Sequence, residues 1–214
     1  MKWIIGIVRI LFLGLFLYLS LTGNMFLWLA IFGVSLFVAI FFGRVYCGYA
    51  CPMNTVMIPV EWLSKKLSLQ TGKTPNWLKK GVFPWIALGI SVVVMVLSKR
   101  ALHVNLPVLF IWLAISMLVT LRYKPEVFHN NICPFGVLQK VFGRAVISSK
   151  KVDAELCIGC KKCEKVCPSL AIAVNGEDQK AVISKPLCHQ CNNCSAVCPV
   201  SAIRYQRGAR YTEK

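Results

Sequence analysis

Apolar positions come in long, unbroken blocks up to about residue 145. A helix needs about 20 mostly apolar residues to cross a bilayer. Four blocks, 3–21, 25–42, 82–97 and 101–121, meet or approach that length, and the third is the shortest. Pro84 and Pro107 stand near block starts, where a helix tolerates proline. The pattern predicts an all-α transmembrane domain of four helices over residues 1–145. The first block opens like a signal peptide. However, no small-x-small cleavage motif follows Leu21, and the next block begins almost at once, so it reads as a retained span. Between the second and third blocks, Val56, Val60, Leu63 and Leu67 recur at helical spacing beside Lys65 and Lys66. This predicts an amphipathic helix over 53–67 lying on the inner leaflet. After residue 145 the long blocks stop. Short apolar runs at 171–174 and 181–184 flank Asn175-Gly176 and predict a hairpin.

Composition sharpens this picture. Hydrophobic residues make up 57%, charged residues 15%, and mean hydropathy is +0.62, which excludes a disordered chain and argues against an ordinary soluble globule. The net charge is +17. Segment 43–81 carries Arg44, Lys65, Lys66, Lys73, Lys79 and Lys80, the turn at 22–24 has no basic residue, and the turn at 98–100 has Lys99 and Arg100. Basic loops stay inside, so both termini and segment 43–81 are expected in the cytoplasm of a prokaryote, with a multi-pass anchor in its inner membrane. The charge then serves topology and attraction to anionic lipid. No helix-turn-helix or aromatic-basic motif points to nucleic acid.

Eleven cysteines carry the chemistry. Cys157, Cys160, Cys163 and Cys167 read C-x2-C-x2-C-x3-C-P, and Cys188, Cys191, Cys194 and Cys198 repeat it 31 residues later. This run is a known signature of two-cluster bacterial ferredoxins, in which the fourth cysteine ligates the other cluster. Three cysteines on one tight loop hold three irons of a cubane, and the fourth iron takes its ligand from elsewhere. One 4Fe-4S cluster should therefore use Cys157, Cys160, Cys163 and Cys198. The second should use Cys188, Cys191, Cys194 and Cys167. Zinc sites favour paired C-x2-C, and disulfides are disfavoured in a reducing cytoplasm. Pro168 and Pro199 are expected to open short helices, and His189 to be a solvated residue beside the second run. The predicted domain is a small α+β ferredoxin of the bacterial two-cluster type over 146–206, followed by a basic tail at 207–214.

Three cysteines remain. Val45-Tyr46-Cys47-Gly48-Tyr49-Ala50-Cys51-Pro52 and Val127-Phe128-His129-Asn130-Asn131-Ile132-Cys133-Pro134 correspond at an offset of 82 residues. Each string follows a pair of apolar blocks, which points to a duplicated two-helix unit with both strings on one side. Cys47, Cys51, His129 and Cys133 are candidate metal ligands for a third iron–sulfur centre at the membrane edge. Histidine on a cluster iron raises its potential, which suits exchange with quinone. Haem b is not expected: only three histidines exist, and His103 has no mate at its depth.

The combination of spans, C-x3-C-P strings and ferredoxin tail resembles the NapH-type membrane ferredoxins, membrane components of quinol dehydrogenases that serve periplasmic nitrate reductase. It is also similar to the membrane part of the nitrous-oxide-respiration regulator. The likeness covers nearly the whole chain. Cys47, Cys51 and Cys133 match the family's strings, and His129 departs from them. The resemblance implies an electron-transfer subunit of an oxidoreductase complex rather than a stand-alone enzyme. Its expected partners are membrane lipid, quinone or a membrane redox subunit, and a soluble or peripheral donor or acceptor protein. A redox-sensing or metal-centre maturation protein of the same architecture is the alternative.

Overall fold

Inside an apolar block the backbone has only itself to hydrogen-bond with, so each block closes into a helix. The computed structural model describes residues 2–71, 74–75, 77–78, 81–101, 107–175 and 178–207. Its helices are α1 (Lys2–Leu21), α2 (Met25–Phe42), α3 (Val45–Tyr49), α4 (Pro52–Lys66), α5 (Phe83–Ala101), α6 (Val108–Arg122), α7 (Pro125–Asn131) and α8 (Pro134–Phe142). Strand β1 (Ser148–Val152), α9 (Lys162–Lys165), β2 (Ile172–Asn175), β3 (Lys180–Ile183), α10 (Asn193–Val197) and β4 (Ile203–Arg207) follow.

Among the described residues three helices are long and apolar enough to cross a membrane: Trp3–Leu21, Met25–Phe42 and Phe83–Arg100. At most 17% of each stretch is buried inside the protein. Faces that apolar, turned away from the fold, suit lipid. These three helices form a membrane-type helical region. The 15-residue α6 is apolar but shorter. It begins after Pro107 rather than at 101, and residues 102–106, with His103, lie outside the described residues. Lys99 and Arg100 do not form a turn as expected. They occupy the last turn of α5, where cations meet unpaired carbonyls. Lys73, Lys79, Lys80, Gly176 and the tail from 208 also lie outside the described residues.

The contacts divide the chain into two units, Met1–Ile31 with Tyr49–Leu138, and Phe32–Gly48 with Gln139–Lys214. In the first, Phe16 packs edge-on against Trp28 at 5.1 Å and beside Phe110 at 5.5 Å. Helix α4 lies along α6. The end of α6 leaves carbonyls without helical partners. Side chains near the end of α4 supply them: Ser64 Oγ donates to the Leu121 carbonyl at 2.6 Å, and Gln70 Nε2 donates to those of Thr120 and Tyr123 at 3.4 Å. The buried face of α4 is therefore Met53, Asn54, Met57 and Ser64. Of the stripe expected to lie on the leaflet, Val56 and Val60 are half-buried and Leu63 and Leu67 exposed.

In the second unit, β1 pairs antiparallel with β4 (Lys150 opposite Tyr205) and β2 with β3 (Ile172 opposite Ile183). The β2–β3 hairpin occupies the positions the turn signal predicts. The β1–β4 ladder joins segments some 55 residues apart and has no local signal. Ala171, Ile172, Val174, Ala181, Ile183, Ala202 and Ile203 form the core between the cysteines. Residues 32–48 belong to this unit, not to the helical one. Gln139 Nε2 donates to Ser35 Oγ at 2.7 Å, and Phe32 stacks edge-on to Tyr46 at 5.3 Å. The boundary near 145 follows polarity, whereas these contacts follow shape. Pro168 and Pro199 do not open helices. They begin turns that end in left-handed residues, Leu170 (φ 49°) and Ser201 (φ 52°).

Candidate iron–sulfur sites

Each C-x2-C-x2-C loop must turn three side chains toward one point, which an extended or helical backbone does not do. Left-handed residues make the turns. Gly159 (φ 67°) and Lys161 (φ 57°) punctuate the first loop, and Gln190 (φ 57°) and Asn192 (φ 65°) the second. Together with Leu170 and Ser201, all three pairs recur at the 31-residue offset, so the duplication is conformational as well as chemical. Alternating handedness also aims successive N–H groups into one concavity, a nest for an anion. Gly159 is glycine for a second reason: a Cβ there would lie 2.4 Å from the Gln179 carbonyl oxygen. In the second unit Gly48 has the same duty, because its Cβ would lie 2.2 Å from the His189 carbonyl oxygen.

Cys157, Cys160, Cys163 and the distant Cys198 line one cavity of about 350 Å³, its open mouth included. Cys188, Cys191, Cys194 and the distant Cys167 line a second of about 330 Å³. The near-equal sizes suit a duplicated unit. The donor set also fits a sulfur-ligated anionic centre. Backbone N–H groups point at cysteine sulfur: in matched places Ala171 N donates to Cys167 Sγ at 3.2 Å and Ala202 N to Cys198 Sγ at 3.4 Å, and Ala181 N donates to Cys157 Sγ at 3.4 Å. Such donors stabilise thiolate and tune a cluster's potential. Burial pushes the Cys188 thiol up to about 12, and raises those of Cys163 and Cys194. These thiols give up their protons readily only to a metal that replaces them.

Sequence reading overlooked Lys150 and Ser169, which line the second cavity. The 31-residue offset pairs them with Ala181 and Val200, but spacing alone puts neither in a cavity wall. Lys150 is buried. Its Nζ donates to Asn192 Oδ1 and, at 2.9 Å, to Ser195 Oγ. Burial lowers its pKa, while the thiols of Cys194, Cys188 and Cys191 pull it back up. His189 is not solvated as expected: it is buried in the wall of the same cavity.

Of the four membrane-edge candidates, Cys47 lies on α3 in the second unit, and Cys51, His129 and Cys133 lie in the first. All four are buried. The two strings share a local build. Pro52 opens α4 and Pro134 opens α8, and the carbonyls of Cys51 and Cys133 each accept a first-turn N–H, from Thr55 and Val137, at 3.3 Å. His129 Nε2 is 3.2 Å from Asn54 Oδ1, which orients the ring, and Gly136 N donates to Cys133 Sγ at 3.3 Å. Among the described residues no three His, Cys, Asp or Glu side chains converge on a single metal ion. A cubane spreads its ligands over four irons and draws in a wider set.

Comparison with known proteins agrees with the donor set. A 4Fe-4S binding domain matches residues 24–70 and 104–154, and a 4Fe-4S dicluster domain matches 150–205. The ferredoxin-type protein NapH of Haemophilus influenzae is 30% identical over 150 residues, 65% of this chain and 52% of that one. The chain is thus similar to the NapH-type ferredoxins and carries matches to 4Fe-4S binding domains. An uncharacterised protein of Methanocaldococcus jannaschii is 31% identical over 139 residues, 63% of this chain and 55% of its own. The methylamine utilization ferredoxin-type protein MauN of Methylobacillus flagellatus is 31% identical over 153 residues, 63% and 52%. The chain spans about half the length of the curated relatives it matches. No solved structure matches it.

Proposed function

We propose that this chain carries electrons between a redox protein at the cytoplasmic face of the inner membrane and quinone or a membrane redox subunit, through two 4Fe-4S clusters in its ferredoxin portion. The carrying observation is the pair of cavities, each lined by three cysteines of one run and the fourth of the other. Cys157, Cys160, Cys163 and Cys198 would hold one cluster, and Cys188, Cys191, Cys194 and Cys167 the other. A bound cluster supplies a one-electron couple. The protein's share is to ligate it, donate N–H groups to its sulfurs and exclude water. Cys47, Cys51, His129 and Cys133 would hold a third centre, a reading supported by the matched strings and the likeness between their helix starts. Four spans, with α6 as the last, and cytoplasmic termini follow from the apolar blocks and basic loops.

Iron and acid-labile sulfide analysis of detergent-purified protein, with an EPR-monitored redox titration, tests this. Two clusters give about eight irons per chain and three give about twelve. A signal lost in Cys51→Ala alone marks the third centre. Turnover with a quinol analogue separates electron transport from redox sensing, which requires only stoichiometric reduction. Colourless, iron-free protein refutes the proposal.

A further inference from the structure

The 31-residue repeat lets the two cavities be compared wall by wall. The cysteines correspond, and so do Val152 with Ile183, Ala202 with Ala171, and Ile203 with Ile172. Four positions do not match in character. Where the first cavity has Ile158, Lys162, Ala181 and Val200, the second has His189, Asn193, Lys150 and Ser169. Lys161 also lines the first cavity, but it and Lys162 are exposed, so water screens their charge as it does not screen that of a buried lysine. Strand β1 and strand β3 are repeat partners, so Lys150 and Ala181 hold the same place in the fold. Ala181 is 6% exposed and Lys150 only 3%, so the lysine is built into the wall and is not a surface charge lying over it. Asn192 and Ser195 accept hydrogen bonds from its Nζ. Ser169 Oγ lies 3.7 Å from Cys167 Sγ. Burying a lysine is costly unless the ammonium finds partners; Asn192 and Ser195 hold it in the wall that also carries Cys188, Cys191 and Cys194.

We propose that Lys150 raises the reduction potential of the couple held in the second cavity, so that an electron entering at the first cavity is drawn to the second. This inference rests on the two-cluster reading above. A centre that accepts an electron becomes more negative by one charge. A fixed cation in the wall favours that reduced form, and hydrogen bonds to the sulfurs act in the same direction. Burial works the other way: Cys191 is buried and Cys160 exposed, and an enclosed anionic centre resists further negative charge. Lys150 lies in the wall where that resistance is greatest. The transfer moves one electron from the reduced first centre to the oxidised second, with no bond made and no proton moved. The exposed first cavity meets the soluble partner. The second lies at the loop that packs on Gly48, in the string that carries Cys47.

The test is an EPR-monitored redox titration of the full-length protein in detergent, with Cys160→Ser used to identify the first cavity's signal. Wild type should show the second cavity's midpoint above the first. Lys150→Gln and Lys150→Met, at unchanged iron content, should lower the second midpoint alone, by about tenfold in the reduced-to-oxidised ratio, or about 59 mV for a one-electron couple. Lys150→Arg should retain the wild-type value. Ser195→Ala leaves the charge but removes one of its anchors, and should lower the same midpoint by less, which keeps the test valid if the neutral variants lose iron. An unmoved second midpoint, a shift of the first, or a wild-type order with the first cavity higher overturns the role of Lys150. Wild-type protein without 4Fe-4S signals overturns instead the reading on which it rests.

Discussion

Gly48 and Gly159 show how much a single atom decides at the sites. A methyl group at Gly159 adds left-handed strain of roughly 1–2 kcal/mol to a clash with the Gln179 carbonyl. At Gly48 the backbone is helical and only the clash with the His189 carbonyl acts. Gly159→Ala should therefore weaken or abolish the first cavity's EPR signal and spare the second. Gly48→Ala should do the reverse, although Gly48 is more than a hundred residues from any ferredoxin cysteine. Loss of both signals together in either variant would mean that the two loops are not independent. Legibility at this scale follows chemistry. Cysteine spacing was readable because a cubane dictates it locally. Lys150 was not, because a lysine in a polar strand looks like surface until the fold encloses it.

At the scale of elements, hydrogen bonds at helix ends do work that helix propensity does not. Ser64 is fully buried and donates to the Leu121 carbonyl at the end of α6. Removing it leaves that carbonyl without its partner, at a cost of about 1 kcal/mol. Ser64→Ala should accordingly lower the unfolding midpoint in detergent without changing iron content. Glu126, in the first turn of α7, has its carboxyl pKa raised by burial more than Lys124 lowers it. The folded state then binds this proton more tightly than the unfolded state. Its contribution is present below the ordinary carboxylate range and is lost as pH rises through the raised value. Glu126→Gln should flatten that part of the stability–pH curve, and an unchanged curve would count against it. The 53–67 helix was legible from periodicity, but its buried face was not. Periodicity locates a stripe, and neighbouring helices choose which stripe to cover, here Met53, Met57 and Ser64.

At the scale of the whole molecule, the exposed apolar faces of α1, α2 and α5 require a non-aqueous neighbour. Alkaline carbonate washing of membranes should leave the chain in the pellet, and release to the supernatant would refute the spanning assignment. By itself the sequence determined which segments are apolar enough to enter a membrane, which eight cysteines form two identical runs, and where one hairpin turns. These depend on composition and on spacing within a few residues, quantities a linear chain carries in full. Tertiary structure alone decided that residues 32–48 pack with the ferredoxin portion and that one cavity wall holds a buried lysine where its twin holds an alanine. Those outcomes depend on which distant surfaces fit when water is excluded. The order of residues along the chain limits such fits but does not select among them.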